Sequence, residues 1–150
     1  ADLRSAAVDA SHSVRLEPMR FAMAADGGPP TPFAGAERPA FSVGVGTVTE
    51  LQLDGTLNMM HHIFHMHVQP FQLQAPPEDA VRAVAGAYFE EGDWHDTLRM
   101  PRASGGLAAR FSRPKPTVRV RLQTDAFTGT VVMHCHYLTH QDQGMMATFA

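Results

Sequence analysis

The chain has very little of several things, and each shortage removes a class of protein. It holds one cysteine in 150 residues, so no disulfide can form within it, and Cys135 is left as a buried filler, a nucleophile or a metal ligand. It has little excess charge: 12 basic residues against 15 acidic give a formal net charge of −3. The basic residues are not clustered, so there is no nucleic-acid footprint. No apolar run approaches the about 18 residues that a membrane-spanning helix needs, and no leader pattern is read at the start. The chain begins at Ala1 rather than Met and ends just after the strand-like run MMATFA, which reads as a mature or excised piece of something longer. Its length is enough for one domain with a real core.

Against these shortages stand nine histidines and nine methionines. Most of the histidines fall in two segments, Met60–Leu73 (MHHIFHMHVQPFQL) and Val131–Met146 (VVMHCHYLTHQDQGMM). In the second, His134 and His136 flank Cys135, and His140 and Met145 follow five and ten residues past the cysteine. A thiolate, imidazoles and a thioether at short fixed spacings are the ligand set of a copper site. His12 and His95 stand apart and are expected to be solvated or hydrogen-bonded. His61 is not expected to be a ligand, and Met59, Met60, Met66 and Met133 are expected to pack.

The remainder reads as scaffold made of short strands. Residues around Arg20–Met23 alternate briefly, and Asp26–Pro39 is a Gly/Pro loop. Phe41–Leu53 alternates well enough for one or two strands, ending at the turn signal Asp54-Gly55. The first histidine segment suits one buried strand. A short helix is predicted over Glu78–Ala85, a strand over Trp94–Met100 and a loop over 101–116. Thr117–Gln123 (TVRVRLQ) is a clean alternation, with Val118, Val120 and Leu122 facing one way. Thr128-Gly129 then leads into the cysteine strand, Thr130–His136. Many short strands separated by turn signals predict an all-β sandwich or barrel.

Side chains on a strand alternate faces. His134 and His136 therefore leave one face and Cys135 the other. In the first segment His65 and His67 share a face, and His62 lies opposite if the strand is regular. One set is thus His65, His67, His134 and His136, four imidazoles that suit copper or zinc. The other is His62, Cys135, His140 and Met145, the blue-copper composition tuned for single-electron transfer. Because Cys135 is bonded to both His134 and His136, the two sets share a short covalent path. Zinc would make no use of such wiring, so copper is expected at both.

On these residues the chain resembles the C-terminal cupredoxin domain of a multicopper oxidase, the laccase-like family. One signature is an HPxHxH-type segment with a following Pro-Phe, here His62-Ile63-Phe64-His65-Met66-His67 and Pro70-Phe71; the other is HCHxxxHxxxGM, here His134 to Met145. Gly46-Thr47-Val48 and Asp96-Thr97 are weaker echoes. The resemblance covers residues 20–150 and leaves 1–19 as a lead-in or linker. It implies a Greek-key cupredoxin β-sandwich or barrel with one short helix in a connecting loop. It also implies that His62, Cys135 and His140 bind a type 1 copper with Met145 axial, that His65 binds a type 2 copper, that His67 and His134 share one type 3 copper, and that His136 serves the other. The family's trinuclear cluster takes eight histidines and this chain offers four, so another cupredoxin domain or a second copy of the chain must face it. The implied activity is laccase-like: single electrons from a small reductant enter at the type 1 copper and pass through Cys135 and His134 or His136 to a cluster that reduces O2 to water. The implied location is periplasmic or extracellular.

Two positions depart from the family pattern. Ile63 replaces a proline, and Gln141 stands where many bacterial members carry a glutamate that helps deliver protons. A glutamine cannot do so, so either Asp142 takes over or delivery is slower. Three other functions compete. A stand-alone blue-copper electron carrier needs no HxH pairs. A copper nitrite reductase uses a longer loop after the cysteine and no HCH. A copper-storage module needs no ordered spacing. The reductant is not readable: phenols, amines and Cu(I), Fe(II) or Mn(II) all remain open, with the loops at 75–93 and 101–116 as candidates to line its pocket.

Overall fold

The computed structural model describes residues 1–17, 19–54, 62–75, 89–100, 117–126 and 128–150. The predicted helix over Glu78–Ala85, the loop over 101–116, and the expectations for His61, Met59 and Met60 lie outside the described residues. Within them are ten strands and one short helix: β1 (Ala10–Glu17), β2 (Ala22–Ala25), β3 (Val48–Asp54), β4 (Ile63–Met66), β5 (Phe71–Ala75), β6 (Trp94–His95), β7 (Thr97–Arg99), β8 (Thr117–Gln123), β9 (Val131–Cys135), α1 (Leu138–Asp142) and β10 (Met146–Phe149).

The strands form two open sheets, ordered β2-β1-β3-β8-β5-β6 and β10-β9-β4-β7. Alternation decides which residues meet between them. On β8, Val118, Val120 and Leu122 are fully buried while Arg119 and Gln123 are exposed, and the strand pairs antiparallel with β3 so that Leu51 lies opposite Val120 and Leu53 opposite Val118. The second sheet contributes Phe64, Met66, Leu98, Met133 and Phe149 to the same core. Each such side chain stabilises the fold by about 1.5–3 kcal/mol on full burial, so the cost of breaking the alternation on either sheet is large.

Three expectations need correction. Residues 60–73 do not form one strand: β4 belongs to the four-stranded sheet and β5 to the six-stranded one. The chain crosses between sheets at Val68, whose φ of +66° no strand residue adopts, and Pro70 cannot donate to a ladder. Trp94–Met100 divides in the same way, with β6 on β5 and β7 on β4. In the 41–53 run the regular strand begins only at Val48: Phe41 makes an isolated bridge to Phe149, Val45 is exposed, and the chain turns at Gly46 with a φ of +73°.

Residues 10–17 form a strand that pairs in parallel with β3 and antiparallel with β2, although their sequence had carried no signal. The segment before it is held down as well. The Arg121 guanidinium donates from Nε to Glu50 Oε2 at 2.9 Å and from Nη1 to the carbonyls of Leu3, Arg4 and Ala6 at 2.8, 3.1 and 3.2 Å. Leu3 is buried, and its N–H donates to Gln72 Oε1 at 2.6 Å.

Candidate metal centre

Register brings the two histidine segments together. β4 and β9 are antiparallel neighbours with Phe64 opposite Cys135, His65 opposite His134 and Met66 opposite Met133. Phe64, Met66, Met133 and Cys135 therefore enter the core, and all four are fully buried. His65 and His134 leave by the other face. Two backbone bonds extend the pairing at either end: His67 N–H to Val132 O at 2.9 Å and His136 N–H to Ile63 O at 2.7 Å.

On the core side three atoms converge. Cys135 Sγ lies 3.5 Å from His62 Nδ1 and 3.8 Å from His140 Nδ1, and the two nitrogens are 3.3 Å apart. The point equidistant from all three is about 2.1 Å from each, the length of an ordinary metal–imidazole bond and about 0.2 Å short of a metal–thiolate bond. All three residues are buried. Burial holds the His140 imidazole below its usual pKa, so at neutral pH its lone pair is free for a metal. Burial also pushes the Cys135 thiol up, which argues against a nucleophile, since a reactive cysteine needs a depressed pKa. A bound cation reverses that penalty, because a coordinating thiol gives up its proton outright.

The loop that closes this corner is compact. α1 places His140 over the cysteine, Cys135 N–H donates to Met145 O, and Met145 N–H donates to His140 O, both at 3.0 Å. Met145 is fully buried in the same core cluster as Cys135. Gly144 before it has a φ of +106°, and an added Cβ would lie 3.2 Å from Phe33 N and from Pro32 Cβ; the position demands glycine twice over. The rings of Tyr137 and Phe21 pack on His140 with centroids 4.6 and 5.4 Å away.

On the outer face the rings of His65, His67 and His134 lie 5.0–5.2 Å apart, and His67 Nε2 sits 3.1 Å from His134 Nε2. These three form a second group of ligand-capable atoms. His136 borders them, with its ring 5.3 Å from His65 and 5.6 Å from His134, but it is not part of that tight group. His134 is held below its usual pKa by burial and then by the neighbouring imidazoles, which keeps it neutral. Its Nδ1 is engaged with Cys135 O at 3.1 Å. His65 Nδ1 lies 2.9 Å from both Asp96 O and Thr97 Oγ1. A carbonyl only accepts, so His65 carries its proton on Nδ1 and presents Nε2 outward.

Asp96 and Thr97 had appeared in sequence only as an echo of a family pattern; their partner, His65, is 31 and 32 residues away, and only the β4–β7 pairing reveals the contact. Phe21 and Tyr137 carried no signal at all. His12 and His95 stay outside both groups: His12 Nδ1 is bonded to Asp26 Oδ2 at 2.8 Å, and His95 Nε2 lies 3.8 Å from Asp93 Oδ2.

A family model for multicopper oxidases matches residues 8–150. The chain belongs to the multicopper oxidase family; membership implies copper, and the two His/Cys groups described above could hold a metal. Among solved structures, the chain resembles the laccase from Pediococcus acidilactici Pa5930 with a TM-score of 0.68 at 27% identity, over 95% of this chain and 27% of that one. It resembles the McoA multicopper oxidase of the hyperthermophile Aquifex aeolicus with a TM-score of 0.67 at 21% identity, over 97% and 29%. For the multicopper oxidase of Campylobacter jejuni, a metallo-oxidase, the values are 0.63 and 20%, over 97% and 30%. The fold is the cupredoxin-like one of these enzymes, and the chain spans less than a third of the length of each. Among the described residues no helix is long and apolar enough to cross a membrane.

Proposed function

We propose that this chain is the cupredoxin domain of a laccase-like multicopper oxidase that carries the type 1 copper and half of the trinuclear cluster. His62, Cys135 and His140 are the three strong type 1 ligands, and Met145 is the weak axial one. His65 serves the type 2 copper, His67 and His134 one type 3 copper, and His136 the other. The remaining histidines come from another cupredoxin domain of the same oxidase or from a second copy of the chain. Bound in these places, copper supplies one-electron acceptance from a small organic or metal-ion reductant and, at the completed cluster, the reduction of O2 to water.

The observation that supports this reading best is the register of β4 on β9. Phe64 opposite Cys135 and His65 opposite His134 put a thiol–imidazole triad and an imidazole cluster on opposite faces of the same two strands. Cys135, its carbonyl and the His134 ring then form a continuous bonded path from one to the other. Burial of Cys135 and His140 keeps water from the sulfur, and their pKa shifts keep the imidazole neutral until a cation draws the thiol proton away. A stand-alone electron carrier has no use for the outer face, where imidazole rings lie 5.0–5.6 Å apart. The place of action that fits is the periplasm or the cell exterior.

The test is copper loading. The loaded protein is expected to be intensely blue through thiolate-to-copper charge transfer, and Cys135→Ser to abolish the colour. A colourless loaded protein, or a blue Cys135→Ser variant, sinks the type 1 assignment. Robust O2 consumption by a proven monomer of the 150-residue chain contradicts the need for a partner.

A further inference from the structure

Val68 follows the last histidine of the first segment and sits in a conformation that its side chain opposes. Its φ is +66°, and the N–H of Gln69 donates to His67 O at 2.7 Å. This is a γ-turn of the strained hand. A β-branched residue there crowds its own backbone, whereas glycine adopts the same turn freely. Burial among the described residues does not compensate, because Val68 is 68% exposed. The chain thus keeps an isopropyl group in water, at a position whose backbone asks for none.

The surroundings show what such a group could serve. On one side Val68 and Pro70 wall a recess of about 350 Å³ that also holds His65, His67 and Asp96. On the other they wall a hollow of about 670 Å³ with Val45 and Trp94, which are 52% and 42% exposed. Val68 is therefore the ridge between the outer histidine face and an exposed shelf that is partly apolar. Among the described residues neither hollow is lined by a lysine or arginine, and each has a single carboxylate, Asp96 or Asp125. The surface is mixed: Val45, Val68, Pro70 and Trp94 supply its apolar part, and Gln69, Gln123, Thr124 and the two carboxylates its polar and faintly acidic part, which suits a neutral or mildly basic partner.

We infer that Val68 is the apolar anchor on which another cupredoxin domain of the same oxidase docks when it completes the histidine face, its isopropyl group filling a pocket on that domain. The inference rests on the proposal that the outer cluster is shared. It commits to a domain of the same polypeptide because this chain spans 27–30% of the oxidases it matches. Its content is a trade between stability and assembly: the side chain that strains the isolated domain is the one that holds the partner.

Two variants separate strain from anchoring. Val68→Gly removes both, and Val68→Ala removes the isopropyl group but keeps a side chain in the strained turn. In the 150-residue chain, Val68→Gly is expected to raise the melting temperature by about 2–4 °C, and Val68→Ala to leave it unraised. In the intact, copper-loaded oxidase both variants are expected to lose copper from the histidine cluster to a chelator roughly fivefold faster, with the blue band of Cys135 unchanged. Copper retention equal to wild type in both variants, or no gain in melting temperature for Val68→Gly, overturns the inference. Self-association of the 150-residue chain that Val68→Gly abolishes also overturns it, by making a second copy the occupant. Absence of the blue band in the wild type overturns the type 1 assignment instead, so the two failures are distinguishable.

Discussion

The hydrogen bonds behind His65 give a sharp prediction for Thr97→Val. His65 Nδ1 has two neighbours at 2.9 Å, Asp96 O and Thr97 Oγ1. The carbonyl fixes the proton on Nδ1, and the hydroxyl shares it in a three-centre bond. Valine preserves the shape of threonine and the strand preference at β7, where Thr97 pairs directly with His65. It deletes only the hydroxyl. A neutral hydrogen bond contributes about 0.5–1.5 kcal/mol, and here the carbonyl keeps part of it. The expected loss is about 0.5–1 kcal/mol, or roughly two- to fivefold in metal affinity. That lies below the roughly 10–100-fold typical when the whole outer partner of a ligand histidine is removed. The assay is competition between the chain and a chelator for Zn2+, in a Cys135→Ser background that disables the buried triad. Ring 15N shifts of His65 supply the signature that a merely structural effect would not produce: a protonated Nδ1 and a bare Nε2 in both proteins, with a more mobile ring in the variant. Unchanged affinity, or a metal-free wild type with its proton on Nε2, refutes the reasoning.

Two further outcomes follow from the scaffold. Arg121→Ala strips Glu50 of its partner, where the two side chains are only 16% and 18% exposed, and frees three carbonyls of the entry segment. The low end of the cost of breaking a buried pair, about 3 kcal/mol, corresponds to a fall in melting temperature of roughly 6–12 °C, with amide exchange accelerating around Leu3. Asp26 is pulled two ways: burial raises its pKa, but the hydrogen bonds from His12 and Ser13 and the charge of His12 outweigh burial and hold it below the ordinary carboxylate value. A depressed folded-state pKa gives stability that is present above the unfolded value and lost as pH falls through the folded one. Asp26→Asn, which tolerates the φ of +49°, is therefore expected to cost about 0.5–1 kcal/mol at neutral pH for this half-exposed pair. Denaturant titrations of the two proteins should converge in acid, and a gap that persists there removes the carboxylate from the explanation.

The all-β fold class and the faces taken by His65, His134 and Cys135 were legible in the sequence; the sheet that each strand joins was not. Strand parity alone divided His65 and His134 from Cys135, and the β4–β9 register realises that division. His62 lies just outside β4, so strand parity alone does not place it, and the backbone bond from Met100 N–H to His62 O helps hold it beside the cysteine. Sheet membership was harder to read because it is not a local property. The first histidine segment and Trp94–Met100 each read as a single strand, yet each crosses from one sheet to the other, and only the φ of Val68 and the competing partners of each half reveal it. β1 was silent for a related reason. It has a clear inward alternation only at Val14 and Leu16, and its identity as a strand comes from the β2 and β3 edges on either side. Family membership from residue 8 onward includes that strand.

A metal held by the triad would also act on the chain as a removable staple. His62 and Cys135 are 73 residues apart, and His62 and His140 are 78, so an ion gripped by all three closes a loop comparable to that of a long-range disulfide. A covalent link of that span restricts the unfolded chain by about 4 kcal/mol in the loop-entropy view, and metal binding returns its own free energy to the folded state. The parallel β1–β3 pairing and the sheet crossings at Val68 and at 95–97 make this a topology of distant contacts that assembles slowly. A cation arriving at this corner of the core between the two sheets would then fasten the two halves of the sequence to each other after they have met. Loading would be the last step of folding as well as the first step of function.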